Sequence, residues 1–372
     1  MQQTFTGATI FDGTRLHSGA TLVVADGRVT ALGAAGGSGM RLDGGILAPG
    51  LIDLQVNGGG GVAVDGATDA DALAHICAAH ARLGATGLLP TLITDTPEAV
   101  AQVVAAGIAA GRQGVPGFLG LHLEGPHLDP RRKGAHDVAL IRPMTEADLA
   151  LLCDAAQALP ALMVTVAPSA VTPEQIRRLC AAGAVVSLGH SDCTLHEANA
   201  AIDAGAHCAT HLFNAMSQLG NREPGLVGAV LSGTIVAGLI ADGIHVAPEV
   251  LRIALAARPD GLFLVSDAMC VAGTDLKDFR LGGRRILRER GRLTLEDGTL
   301  AGADLSLPQA LRVMVKTVGI SAEQALAMAT SVPARLIGAR AGRLEPGYPA
   351  DFVHLDDDWQ LLQVWRGGRP LL

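Results

Sequence analysis

Aromatic side chains make up only 3% of this 372-residue chain, so a ring-stacking binding surface is not expected. No apolar run reaches the roughly 18 residues that a bilayer-spanning helix needs. The opening stretch MQQTFTGATIFDGTR has no basic segment followed by an apolar one, so no secretion signal and a cytoplasmic location are expected. The six cysteines are scattered and no pair has CxxC spacing. Neither a zinc ribbon nor a disulfide framework is therefore expected, and the thiols read as reduced and mostly buried. There is no long basic run, and the formal net charge is -8, which argues against a nucleic-acid partner. An anionic ligand would need a local basic pocket against that background. What is abundant is glycine, alanine and aliphatic residue; with 49% hydrophobic residues the chain can bury one large core and a smaller one.

Eight short apolar runs recur along the middle of the chain: GLIDLQV (50–56), TGLLPTLIT (86–94), GFLGLHLEG (117–125), ALMVTVAP (161–168), AVVSLGH (184–190), HCATHLFNA (207–215), TIVAGLIAD (234–242) and GLFLVSDAM (261–269). Between most of them lie helical patterns, among them 69–83, 97–110, 146–158, 173–182 and 248–257. Apolar strands separated by helices indicate a parallel sheet buried on both faces. Eight such units over about 250 residues have the size of a closed (β/α)8 TIM-type barrel. The ends read differently, as short strands and turns. Residues 1–49 and 341–372 are too few to fold separately, and they are expected to form one small β-sandwich domain beside a barrel of residues 50–340. AAGGSGM (34–40) reads as a loop, 282–305 as an excursion after the eighth run, and 305–318 and 322–336 as the last helices.

A barrel of this kind places its active site at the C-terminal ends of its strands. The polar residues there are Gln55 and Asn57 on run 1, His122 and Glu124 on run 3, His190 on run 5, and His211 with Asn214 and Ala215 around run 6. Run 7 ends with Asp242, with His245 just beyond it, and Asp267 ends run 8. Two imidazoles and a carboxylate from three strand ends make the ligand set of a catalytic zinc with open positions. A further carboxylate beside the metal can take a proton from an activated water.

The motifs HLEGP (122–126), LGHS (188–191), THLFNAM (210–216), REPGLVGAVL (222–231), ADGIHV (241–246) and SDAM (266–269) occur in this order. APGLIDLQVNGGGG (48–61) and GRLEPGYPADFV (342–353) flank them. Over nearly its whole length the chain resembles the N-acetylglucosamine-6-phosphate deacetylases of the amidohydrolase superfamily. The resemblance implies hydrolysis of that sugar phosphate to glucosamine 6-phosphate and acetate in amino-sugar catabolism and recycling. It implies that Glu124, His190 and His211 hold one divalent metal per subunit, zinc first, with iron, cobalt or manganese as alternatives. Asp267 would be the general base and then the acid. His136, in KGAH, would polarise the acetamide carbonyl, helped by the backbone near Ala135. Asn214, Ala215, Arg222 and His245 would hold the sugar phosphate, with Leu300, Ala301 and Gly302 behind it. A homodimer is implied, in which Arg222 and His245 are candidates to act in the neighbouring subunit.

Two positions depart from the wider pattern. Where many amidohydrolases carry an HxH pair for a second metal, this chain has Gln55-Val56-Asn57. Alternation still points both amides into the barrel mouth, but amides are poor substitutes for imidazole on zinc. One tightly held metal is therefore expected, with Gln55 and Asn57 ordering water or substrate. Ala303 stands where the family usually has serine. Structural roles are the expectation for His122, beside Glu124, and for His75, His80, His196, His17 and His354. Arg131, Arg132 and Lys133 read as a solvated charge run, and Gly58–Gly61 as a tight loop without the Lys-Ser/Thr of a P-loop. Two alternatives remain: another amidohydrolase with a different N-acyl or cyclic amide substrate, or a sugar-phosphate sensor without catalysis.

Overall fold

A computed structural model describes residues 2–34 and 39–372. The loop expected over 34–40 falls largely on 35–38, outside the described residues. All eight apolar runs form strands: β1 (Leu51–Val56), β2 (Ala85–Ile93), β3 (Leu121–Glu124), β4 (Leu162–Val166), β5 (Val185–Leu188), β6 (Cys208–Ala209), β7 (Val236–Leu239) and β8 (Leu262–Leu264). They lie in one sheet in sequential order, each parallel to the next. β3, β4 and β5 are buried at every position, as strands must be with helices outside and a filled barrel inside. The seam between β1 and β8 is closed by a parallel bridge of Val56 with Ala268 and by the Asn57 amide donating to the Ala268 carbonyl at 2.7 Å. Lower in the seam the Asp53 carboxyl accepts from the Ser266 amide at 3.1 and 3.2 Å, in place of a backbone ladder.

The intervening helices are α1 (Ala70–Arg82), α2 (Pro97–Gln113), α3 (Glu146–Ala158), α4 (Pro173–Ala181), α5 (Leu195–Asp203), α6 (Gly225–Ser232) and α7 (Pro248–Ala257). Their starts follow from the sequence: Asp69, Thr96, Thr145, Thr172 and Thr194 each cap a first turn, and proline opens α2, α4 and α7. The stretch expected as one helix over 305–318 is α8 (Leu307–Arg312) running into a wider π turn, Val313–Val318. The stretch 322–336 is two helices, α9 (Ala322–Ala329) and α10 (Ser331–Leu336), broken at Thr330. Pro333 lacks the N–H that an uninterrupted helix would use there.

The excursion after β8 is an antiparallel sheet of four strands, Asp278–Leu281, Arg284–Glu289, Arg292–Thr294 and Leu300–Ala303, so it begins earlier than expected. Phe279, Ile286, Leu293 and Ala301 pack on Met269, Cys270 and Val271, which fixes the sheet as one wall of the barrel mouth.

The chain ends build two further sheets. One pairs Gln2–Thr6, Ala20–Ala25, Arg28–Ala34 and Met40–Arg41. The other joins strands of both ends: Ile46–Pro49 lies between Thr9–Phe11 and Phe352–Leu355, which continues to Leu361–Arg366. Phe5, Leu22, Leu47, Phe352 and Trp365 form a second core, with Phe352 stacked on Trp365 at 4.9 Å. Among the described residues no helix is long and apolar enough to cross a membrane.

Candidate active site

Glu124 ends β3, while His190 and His211 lie two residues beyond the ends of β5 and β6. All three are buried. His190 and His211 have φ of 45° and 31°, and Asp267, beyond β8, has 50°. This left-handed region is sparsely populated by residues other than glycine, and strain of that kind clusters at functional sites. It turns each side chain out of the strand's alternation into the mouth of the barrel.

The three side chains meet in a triangle. Glu124 Oε1 lies 2.9 Å from His211 Nε2 and 3.1 Å from His190 Nε2, and the two Nε2 atoms are 3.1 Å apart. Among the described residues they form a group able to hold a metal ion. The donors fit a cation. His190 Nδ1 donates to the Arg132 carbonyl at 2.8 Å, so Nε2 is the nitrogen turned to the triangle, where a neutral ring would offer its lone pair to a cation. Ligands on a tetrahedral cation with bonds of about 2 Å stand about 3.3 Å apart, close to these edges. Burial alone would raise the Glu124 carboxyl, but hydrogen bonds from His190 and His211 outweigh it and hold Glu124 well below the usual carboxylate range. A buried carboxylate of this kind is ready to receive positive charge.

Asp267 stands beside the triangle. Its Oδ1 accepts from Asn57 Nδ2 at 2.7 Å and from Gln55 Nε2 at 3.3 Å, and Gln55 also reaches both Glu124 oxygens at 3.2 Å. Both bonds to Asp267 fall on Oδ1, which leaves Oδ2 for a proton. Burial, and then the Glu124 charge, push the Asp267 carboxyl up to about 6. Gln55 thus places its N–H group between the two carboxylates, while Asn57 bonds Asp267 alone.

Glu124, His190, His211, Asn57 and Asp267 border a cavity of about 400 Å³ at the barrel mouth, which Gln55 does not line. His136 lines it, 4.3 Å ring to ring from His190, with Nδ1 2.8 Å from Thr94 Oγ1 and 3.3 Å from the Thr94 amide. Burial, then the positive field of His190, lower His136 well below the ordinary histidine range, so its ring is neutral. Ala135, Asn214, Ala215 and His245 also line the cavity, and Leu300, Ala301 and Gly302 of the excursion close one side. His245 Nδ1 donates to Asp242 Oδ2 at 2.6 Å, which fixes the ring against its own chain's cavity. Arg222 does not line it; that side chain is exposed on the segment before α6. No lysine or arginine lines the cavity among the described residues.

Other expectations resolve as follows. His122 bonds the Leu54 carbonyl at 3.0 Å and Thr165 Oγ1 at 2.7 Å in the barrel interior, outside the triangle. His80 and His75 bond carbonyls of the Gly58–Gly61 loop. The 131–133 run is not merely solvated: Arg131 pairs with Asp129, Arg132 pairs with Asp192, and the Arg132 carbonyl holds His190. Two contributors have no role assigned by the sequence: Asp242, a polar residue ending run 7, and Thr94, the last residue of run 2.

Residues 46–370 match the Amidohydrolase family. The chain is 40% identical over 334 residues to an N-acetylgalactosamine-6-phosphate deacetylase of Shewanella sp. (strain ANA-3), covering 89% of this chain and 84% of that one. It is 38% identical over 340 residues to the Homo sapiens N-acetylglucosamine-6-phosphate deacetylase, covering 87% and 82%. The crystal structure of N-acetylglucosamine-6-phosphate deacetylase from Pasteurella multocida superposes with a TM-score of 0.95 at 32% identity, over 100% of this chain and 99% of that one. With this architecture and this match over most of its length, the chain belongs to the amidohydrolase family.

Proposed function

We propose that this protein removes the acetyl group from N-acetylglucosamine 6-phosphate, giving glucosamine 6-phosphate and acetate, in amino-sugar catabolism and recycling. The observation that carries the reading is the convergence of Glu124, His190 and His211 at about 3 Å beside the Asp267 carboxyl. Relatives named for the acetylated phosphates of glucosamine and of galactosamine support the substrate class.

Glu124, His190 and His211 would hold one divalent ion, zinc first. Such an ion lowers the pKa of a water toward about 7 and polarises a carbonyl. Asp267 takes the proton of the attacking water on Oδ2 and returns it to the departing nitrogen. His136 polarises the acetyl carbonyl as negative charge develops on its oxygen, with the Ala135 backbone beside it. Gln55 and Asn57 occupy the place of an HxH pair and bond the carboxylates that a second cation would need. Asn214, Ala215 and His245 hold the sugar, with Leu300, Ala301 and Gly302 behind it.

A phosphate dianion calls for a cation that the cavity's own walls lack. Arg222 is exposed, as a residue serving a neighbouring subunit would be, and a guanidinium fork suits phosphate oxygens. We therefore read the protein as a cytoplasmic homodimer, with residues 1–49 and 341–372 as a small domain beside a 50–340 barrel. Acetate release should be measured from N-acetylglucosamine 6-phosphate, its galactosamine epimer and free N-acetylglucosamine, with and without added zinc. Zinc-dependent release, fastest from the first, is expected. Binding without release would favour the sensor reading, and faster release from the epimer would reassign the sugar.

A further inference from the structure

Thr94 follows the last residue of β2 and is buried. Its backbone nitrogen lies 3.3 Å from His136 Nδ1, and its hydroxyl 2.8 Å from the same atom. A backbone amide can only donate, so His136 Nδ1 is an acceptor and carries no proton. The hydroxyl must then donate to it as well. Its other neighbour, the Glu124 carbonyl, is farther away at 3.5 Å. A neutral imidazole has one N–H, and here that proton belongs on Nε2, on the far side of the ring from Thr94.

The other cavity rings with a bonded Nδ1 are set the opposite way. His190 Nδ1 donates to the Arg132 carbonyl and His245 Nδ1 to the Asp242 carboxylate. His136 alone among these three is turned so that a neutral ring offers a donor. The backbone makes room for the device. A Cβ on Gly125, at φ +94°, would stand 2.2 Å from Thr94 Oγ1. The glycine of HLEGP thus lets the hydroxyl sit beside the strand that carries Glu124.

We infer that Thr94 is a positioning residue that fixes the tautomer of His136, so that Nε2–H is presented to the oxygen of the acetyl group. This rests on the reading of His136 as the group that polarises that carbonyl. A ring with the proton on Nδ1 would present a lone pair to the oxygen, and repulsion would replace stabilisation.

The test uses the zinc-loaded full chain. Thr94→Val keeps the shape and the backbone amide but loses the hydroxyl, one neutral hydrogen bond. We expect kcat to fall about tenfold, KM to stay within about twofold, and Thr94→Ser to recover most of the loss. Nitrogen-15 NMR of the labelled histidines, with His136 assigned by its disappearance in His136→Asn, should show Nε2 protonated and Nδ1 bare at neutral pH. In Thr94→Val that signature should weaken. Protonated Nδ1 in the unaltered protein overturns the inference, as does Thr94→Val with unchanged kcat and unchanged spectrum. His136→Asn with undiminished kcat would instead overturn the role of His136 in the chemistry, whatever the spectrum shows about Thr94.

Discussion

Asp53 joins the first and last strands of the barrel, and replacing it by asparagine should change stability little at acid pH and raise it at alkaline pH. The carboxyl is buried, and burial is the chief reason it ionises near pH 7 rather than at the ordinary 3.8. The Ser266 and Gln55 amides act against that rise without cancelling it. A group whose folded pKa is raised supports the folded chain fully below its unfolded value, and that support is lost as pH climbs through about 7. At 1.36 kcal/mol per pKa unit, the whole span corresponds to about 4 kcal/mol, and the part between pH 5 and 8 to about 3 kcal/mol. Asparagine keeps a carbonyl for the Ser266 amide but never ionises; losing part of the amide pairing costs about 1 kcal/mol. About 2 kcal/mol of the support is already lost at pH 5, so Asp53→Asn should be close to the unaltered protein in stability there and about 3 kcal/mol more stable at pH 8. Urea denaturation of both proteins at the two pH values measures this, because other titrating groups cancel in the difference. A stability difference that does not move with pH would refute the reasoning.

Asp267→Asn should keep both amide contacts and the bound metal while kcat falls by about 10²- to 10⁴-fold, the usual contribution of a positioned base; a near-normal rate with metal retained would remove Asp267 from that role. Arg222→Ala should lower kcat/KM for the phosphorylated sugar by about 10- to 100-fold, the equivalent of a charge-assisted hydrogen bond. The free sugar should be affected little, and an unaltered preference for phosphate would take Arg222 out of the phosphate site. Protein purified without chelator should contain one tightly bound divalent metal per chain, measured by elemental analysis. Two equivalents would mean that Gln55 and Asn57 do not stand in for a second ion.

Much of this arrangement was legible because a parallel barrel leaves a strong signature. Each strand is apolar along its length and changes character at its C-terminal end, so the polar residues ending the runs are the ones at the mouth. That logic located Glu124, His190, His211 and Asp267 in one cavity before any coordinate. It worked less well where a strand is nearly absent: run 6 spans 207–215 but β6 holds only Cys208 and Ala209. The residues after it depend on left-handed turns at His211, Phe213 and Ala215, which periodicity does not encode. Nor does a sequence pattern reveal pairing between distant segments. That Ile46–Pro49 lies beside Phe352–Leu355 follows from shared burial of Leu47 and Phe352. The Arg132 carbonyl, which holds His190, is a backbone atom and has no signature in residue type at all.

The roles of Thr94 and Asp242 are not legible in the sequence for a different reason. A strand-end search looks for groups that touch a ligand, whereas these two touch the imidazoles that do. The trace of Thr94 in the sequence is indirect and lies in a glycine. Gly125 stands where a side chain would strike the Thr94 hydroxyl, and Gly302, at φ +67°, where one would strike the Met269 side chain at 2.6 Å and the Asp267 backbone carbonyl at 2.8 Å. Such a glycine marks a place where another polar group must come close, as much as a place where the chain must bend. A glycine next to a functional carboxylate or imidazole is therefore a pointer to a partner elsewhere in the chain. Substituting alanine at Gly125 should damage His136 through Thr94 before it damages Glu124, and the order of those losses is open to the same NMR measurement that tests the Thr94 contact.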